Sequence, residues 1–178
     1  MLDRDLLQSF AEGFYGYGEK EAPFWFISME EGVGHSKDEL ALRLATWNMR
    51  GRPEIDDLQE FHSTAQIAEW SYVHPRMQRT WYPTTRTLLI LAGEMATPGA
   101  ARDYQRNYLG RFDGVSRLSP LFPLPSPSSN CWNYPRWSDL AMLVDRAECV
   151  NNFEAPVEGG LVSNALPPPL RSALVVAS

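Results

Sequence analysis

The stretch Ala22-Pro23-Phe24-Trp25-Phe26-Ile27-Ser28-Met29-Glu30-Glu31-Gly32-Val33-Gly34 decides how this chain is read. Phe24 to Met29 is a short apolar run without alternation, which fits a strand covered on both faces. Pro23 introduces it, and Glu30 to His35 must form a turn. Ser36-Lys37-Asp38-Glu39 then has the form of a capping box: the serine hydroxyl accepts an orphan N–H and the glutamate reaches back to the cap. A helix is predicted from there to about Met49, burying Leu40, Leu44 and Trp47, with Gly51 and Pro53 ending it. Strand, turn and helix in that order begin an α/β layer fold.

On the N-terminal side, Asp3 to Phe14 is predicted helical. Leu6, Phe10 and Phe14 recur every four residues, with Leu7 and Ala11 beside them. Gly16 to Pro23 reads as a loop. On the C-terminal side, Pro53 to Phe61 suits a short helix, and residues 62–83 are polar and aromatic with no steady period. Thr84 to Met95 reads as a helix carrying Leu88, Leu89 and Leu91. Gly99 to Leu109 reads as another, with Gly110 as its stop. Val115 to Leu124 is a second strand, running into the breaker cluster Pro123 to Asn130. A last helix is expected from Trp137 to about Val150, with Leu140, Val144 and Ala147 on one face. After Asn151 there is no periodicity before Leu174-Val175-Val176. The expected architecture is a single α/β domain over 1–150, a small, mostly parallel sheet flanked by helices, with a loosely ordered tail over 151–178.

Composition narrows the function classes. A chain of 178 residues suits one domain. At 44 % hydrophobic and 21 % charged it is ordinary globular protein, which excludes bulk disorder. No run approaches the ~20 apolar residues of a membrane span. The acidic, amphipathic N-terminus does not have the form of a signal peptide. Cys131 and Cys149 make neither a disulfide scaffold nor a zinc-finger spacing, so a reducing cytoplasm is the expected compartment. The net charge of −6 argues against a strongly basic nucleic-acid binder but not against local basic patches. Of the 16 basic residues only Lys20 and Lys37 are lysine. Arg76, Arg79, Arg86, Arg102, Arg106, Arg111 and Arg117 make a positive strip if they share a face, and solvated helix surfaces paired with Asp103 or Asp113 if they do not.

The turn after the first strand is the place for chemistry, because ligands of open α/β sheets sit beyond the carboxyl ends of strands. Gly32 and Gly34 allow close backbone approach. Adjacent Glu30 and Glu31 suit the holding and deprotonation of a water, or simply favour the coming helix N-terminus from solvent. With His35 they could bind a divalent metal, but Glu-Glu-x-x-x-His is not a ligand spacing, and neither metal nor cofactor is expected. In the second candidate segment, closely spaced prolines stiffen a loop that offers Ser126, Ser128, Ser129 and Asn130 as small donors and acceptors. Trp132 and Tyr134 follow, as base-stacking surfaces or as core. His62 and His74 have no partner in sequence and read as structural or surface residues.

Residues 22–34 resemble the first motif of the uracil-DNA glycosylase superfamily, in which a buried strand ends in a short acidic, glycine-containing loop. Leu121 to Asn130 resembles either a proline-rich segment after a middle strand of the same superfamily or its later loop of the His-Pro-Ser or Met-Pro-Ser type. The resemblance covers about residues 12–150. It implies an incomplete glycosylase-like three-layer sandwich and a reaction in which a flipped base is released by hydrolysis of its N-glycosidic bond, without a metal. In that setting Glu30 or Glu31 orients the water. Gly32, Gly34 and His35 line the substrate, Ser126, Ser128 and Asn130 hold the DNA backbone, and Trp132 stacks on the base. The family's first motif ends Pro-Gly or Pro-Tyr where this chain has Glu31-Gly32, and the later part of the family's chain has no counterpart after Asn151. A truncated or diverged relative with reduced or absent activity is therefore expected. The alternative is a non-catalytic nucleic-acid-binding or protein-interaction module that uses the arginine and aromatic surface. DNA is the expected partner, with no membrane association.

Overall fold

The computed structural model describes residues 2–28, 31, 36–67, 76–126, 132–140 and 143, and the backbone of 175 and 176. In chain order the elements are α1 (Arg4–Gly13), β1 (Tyr17–Gly18), β2 (Phe24–Ser28), α2 (Lys37–Met49), α3 (Leu58–Thr64), α4 (Trp81–Leu91), α5 (Pro98–Asn107), β3 (Ser116–Pro120), α6 (Tyr134–Trp137) and β4 (Val175–Val176). Helices and a small sheet make the class α/β. Contacts divide the chain into two compact units. The first is built from residues 1–15, 29–54 and 120–173, the second from 16–28, 55–119 and 174–178. The expected boundary near residue 150 lies outside the described residues. Among the described residues no helix is long and apolar enough to cross a membrane.

The first unit is built on the packing of α1 and α2. Asp3 caps α1, its carboxylate accepting the Leu6 N–H at 2.9 Å. Leu7, Phe10 and Ala11 turn inward, and Leu6 is only half-buried. Phe10 stacks on Phe14 at 4.8 Å and meets Trp47 edge-on at 5.1 Å. Each such buried side chain contributes about 2 kcal/mol of transfer free energy. Ser36 caps α2 by accepting the Glu39 N–H at 3.1 Å, as the capping pattern predicts. Leu40, Leu44 and Trp47 are buried, and the Trp47 indole N–H donates to the Pro53 carbonyl at 2.8 Å.

The helix expected from Trp137 to about Val150 is not formed at 138–140 and beyond that lies largely outside the described residues; the helix found is α6, Tyr134–Trp137, with Pro135 in its first turn. It stops at Ser138, which is extended. Val144 and Ala147 lie outside the described residues.

The second unit holds the sheet, in the order β1-β3-β2-β4. β1 runs antiparallel to β3, with Tyr17 opposite Leu118 and Gly18 opposite Arg117. β2 runs parallel to β4, with Phe26 opposite Val175 and Ile27 opposite Val176. The sheet is thus mixed rather than mostly parallel. Part of the expected Gly16–Pro23 loop is a strand, and part of the expected tail is another. Gly18 has φ +113°, and a Cβ there would strike the Ser116 carbonyl oxygen, so β1 can approach β3 only as glycine. β2 is less covered than an unalternating run suggests: Phe26 is buried while Phe24, Trp25 and Ile27 are half-buried. β3 is shorter than Val115–Leu124, ending at Pro120.

α3 begins at Leu58, later than the expected Pro53, because Asp57 is its N-cap. α4 begins at Trp81 and ends at Leu91, where Gly93 (φ +76°) turns the chain. Leu91 is the helix's last residue and is 56 % exposed, while Met95, expected within this helix, lies beyond it at 81 %. α5 starts at Thr97 and Pro98, with Thr97 accepting the Ala100 N–H, and Gly110 (φ +63°) follows its end.

On α5, burial pushes the Tyr104 phenol up from its ordinary value, and Glu94 and Tyr108 push the same way. Above pH ~10 the unfolded chain therefore gives up this proton first. The stability it carries is complete below that pH and is lost as pH rises towards the folded-state value. An alkaline series of thermal melts should fall less steeply in Tyr104→Phe than in the parent chain.

Candidate functional site

In the first unit, Glu31, three residues beyond the end of β2, meets the proline-rich segment. Of Pro123-Leu124-Pro125-Ser126-Pro127 only Leu124 and Ser126 carry a backbone N–H. The Ser126 N–H donates to the Glu31 carbonyl at 2.9 Å. Ser126 itself is buried, at 2 % exposure. The neighbouring Pro125 carbonyl accepts from the Tyr134 hydroxyl at 2.7 Å. Tyr134 is core rather than a stacking surface. Trp132 is half-buried. It packs 4.5 Å from Tyr134 and 6.2 Å from Phe122, and donates its indole N–H to the Leu143 carbonyl at 2.9 Å. Glu31, Ser126 and Trp132 are therefore joined through the proline segment and one aromatic cluster. Glu30, Gly32, Gly34, His35, Ser128 and Asn130 lie outside the described residues.

The Glu31 carboxylate has a partner that the apolar pattern did not name. Its two oxygens accept from the two terminal nitrogens of Arg43, at 3.1 and 2.7 Å. Such a bidentate fork fixes orientation as well as charge. The Arg43 side chain is 4 % exposed and that of Glu31 24 %. The signal was present: Leu40, Leu44 and Trp47 define the inner face of α2, and residue 43 falls on that face. An arginine there requires an anion. With both oxygens engaged by the guanidinium, Glu31 is a fixed anion tied to α2.

The second unit settles the fate of the seven arginines. Arg117 is buried, with its guanidinium 4.1 Å from the Trp25 ring centre and its Nε–H donating to the Ser119 hydroxyl. Arg111 pairs with Asp57 at 3.1 Å and donates to Gln59. Arg86 lies over the Tyr82 ring at 5.6 Å. Arg76, Arg79 and Arg102 are exposed and Arg106 is half-buried. They do not form one strip: two are structural and the others reach solvent to different degrees.

Asp57 is a hub. One carboxylate oxygen caps α3 by accepting from Gln59 and Glu60 N–H groups, both at 3.0 Å. The other accepts the Phe112 N–H at 3.1 Å and is ion-paired with Arg111, whose Nε lies 3.1 Å away. His62 is buried and stacked on Trp81 at 6.1 Å, beside Tyr17 and Phe61, which is a structural histidine as its isolation in sequence suggests. A recess lined by Leu58, Gln59, His62, Trp81, Gln105, Arg106 and Leu109 has a volume of about 10 Å³, room for one water.

Comparisons of the chain with protein-family models, with curated proteins and with solved structures found no match.

Proposed function

We propose that the chain is a DNA glycosylase-like protein acting on a base flipped out of the duplex. The observation that carries this reading is the hydrogen bond from the Ser126 N–H to the Glu31 carbonyl. It joins, within one unit, the acidic end of the first stretch on which the resemblance rests to the proline-rich segment of the second. In this reading Glu31, gripped by Arg43, anchors the turn, and the adjacent Glu30 orients the attacking water. The water oxygen bonds to the sugar carbon as its bond to the base nitrogen breaks. One water proton passes to the carboxylate and the base departs with the bonding pair. Trp132, half-buried beside Tyr134 and Phe122, offers the ring for a base to stack on.

The experiment is base release from oligonucleotides carrying uracil and a panel of other damaged bases. Release by the parent chain, lowered about 100-fold or more in Glu30→Gln, supports the reading. No release from any lesion removes it. Salt-dependent DNA binding without turnover would instead favour the non-catalytic module.

A further inference from the structure

Between Arg76 and Ser119 the chain carries seven arginines and three acids, Glu94, Asp103 and Asp113, a local excess of four positive charges in a chain of net −6. Three of the seven are held by Asp57, Trp25 or Tyr82. The remaining four lie on two segments that one buried side chain joins. Gln105 of α5, 4 % exposed, accepts the Gln78 N–H at 3.0 Å through its carbonyl and donates to the Arg76 carbonyl at 3.0 Å through its amide. This clamp fixes the segment bearing Arg76 and Arg79 against the helix bearing Arg102 and Arg106. The latter two stand four residues apart, one turn, so their side chains start about 6 Å from each other. Among the described residues none of the four is in an ion pair.

We propose that Arg76, Arg79, Arg102 and Arg106 form a binding surface for the phosphate backbone of a nucleic acid, sequence-independent and separate from the base-releasing residues. It rests on the reading of the protein as one that acts on DNA. Guanidinium forks pair with phosphate oxygens in a plane, and all four positions carry arginine. An acidic peptide would need an apolar anchor and a pocket to take it. The recess beside Arg106 has room for only one water and cannot serve as that pocket. A buried amide that positions exposed cations fits phosphate contacts, which orient a duplex without reading its bases.

The test is equilibrium binding of a fluorescent, lesion-free DNA duplex across a salt series, with the full chain. Arg102→Gln/Arg106→Gln and Arg76→Gln/Arg79→Gln should each lower the slope of log affinity against log salt by about two, and the affinity roughly ten-fold at moderate salt. Their melting temperatures should match the parent's, since the side chains altered are exposed or half-buried and outside ion pairs. Unchanged affinity and slope in the fourfold variant would overturn the proposal, even if the parent chain releases bases. So would the absence of duplex binding, or tight binding of polyglutamate in place of DNA. Binding that depends on the four arginines in a chain that releases no base would sustain the surface and discard the glycosylase reading.

Discussion

Asp57→Ala is expected to destabilise the protein by about 4 kcal/mol, within the range for breaking a buried ion pair, and to lower the melting temperature by roughly 10 °C. The side chain is 4 % exposed, and its loss takes a partner from four donors at once: the Gln59 and Glu60 N–H groups of α3, the Phe112 N–H and the Arg111 guanidinium. A lost N-cap alone costs ~1 kcal/mol. The remainder lies at the Arg111 side, where a guanidinium only 22 % exposed loses its carboxylate. Asp57→Asn separates the two contributions. Its carbonyl can keep the cap, while its amide turns a donor towards Phe112 and Arg111. A loss of about 2 to 3 kcal/mol is expected there, on the same mechanism. Denaturant titration of both variants checks the order. An alanine variant within 1 kcal/mol of the parent, less than the cap and the pair are expected to hold together, would show that water replaces the hub without cost.

Glu31→Gln should cost about 3 kcal/mol and act on base release chiefly through the fold. The change deprives the Arg43 guanidinium of its bidentate carboxylate in a setting where the arginine side chain is 4 % exposed. Arg43→Met removes the buried charge together with the pair and leaves Glu31, at 24 %, within reach of water, so it should be the milder change. The adjacent carboxylate behaves differently in the proposed reaction: Glu30→Gln should silence base release by removing the group that orients the water. If instead Glu31→Gln abolished release without altering the melt, water-orienting duty would pass to Glu31 and the anchoring role assigned to it would fall.

What was legible in the sequence was mainly what is local. Ser36 followed by Glu39 announces the start of α2, because the cap is made by a hydroxyl and an N–H three residues apart. The four-residue recurrence of Phe10 and Phe14 announces α1, although the stripe centres on Leu7 rather than Leu6. The early end of α4 follows Gly93, a stop placed where apolar residues continue to Met95; periodicity alone carried the helix too far. β1 and β4 escaped because two residues have no period, and their pairing comes from partners far away in the chain. The meeting of Glu31 with Ser126 is of the same non-local kind; no spacing reveals it. Arg43 lay between, readable as a charge on an apolar face but without its partner's name.

Neither unit is contiguous in the chain: the path changes unit after Tyr15, Ser28, Glu54, Ser119 and Ala173. During synthesis the first unit must therefore wait. α1 and α2 emerge early, but Phe122, Tyr134 and the serine that meets Glu31 come from the ribosome more than seventy residues after α2 ends. Such long closures slow folding and leave apolar surface uncovered meanwhile. No single cut can liberate either unit as an intact fragment, and a chain halted before Pro120 would carry two helices of the first unit with their partners missing.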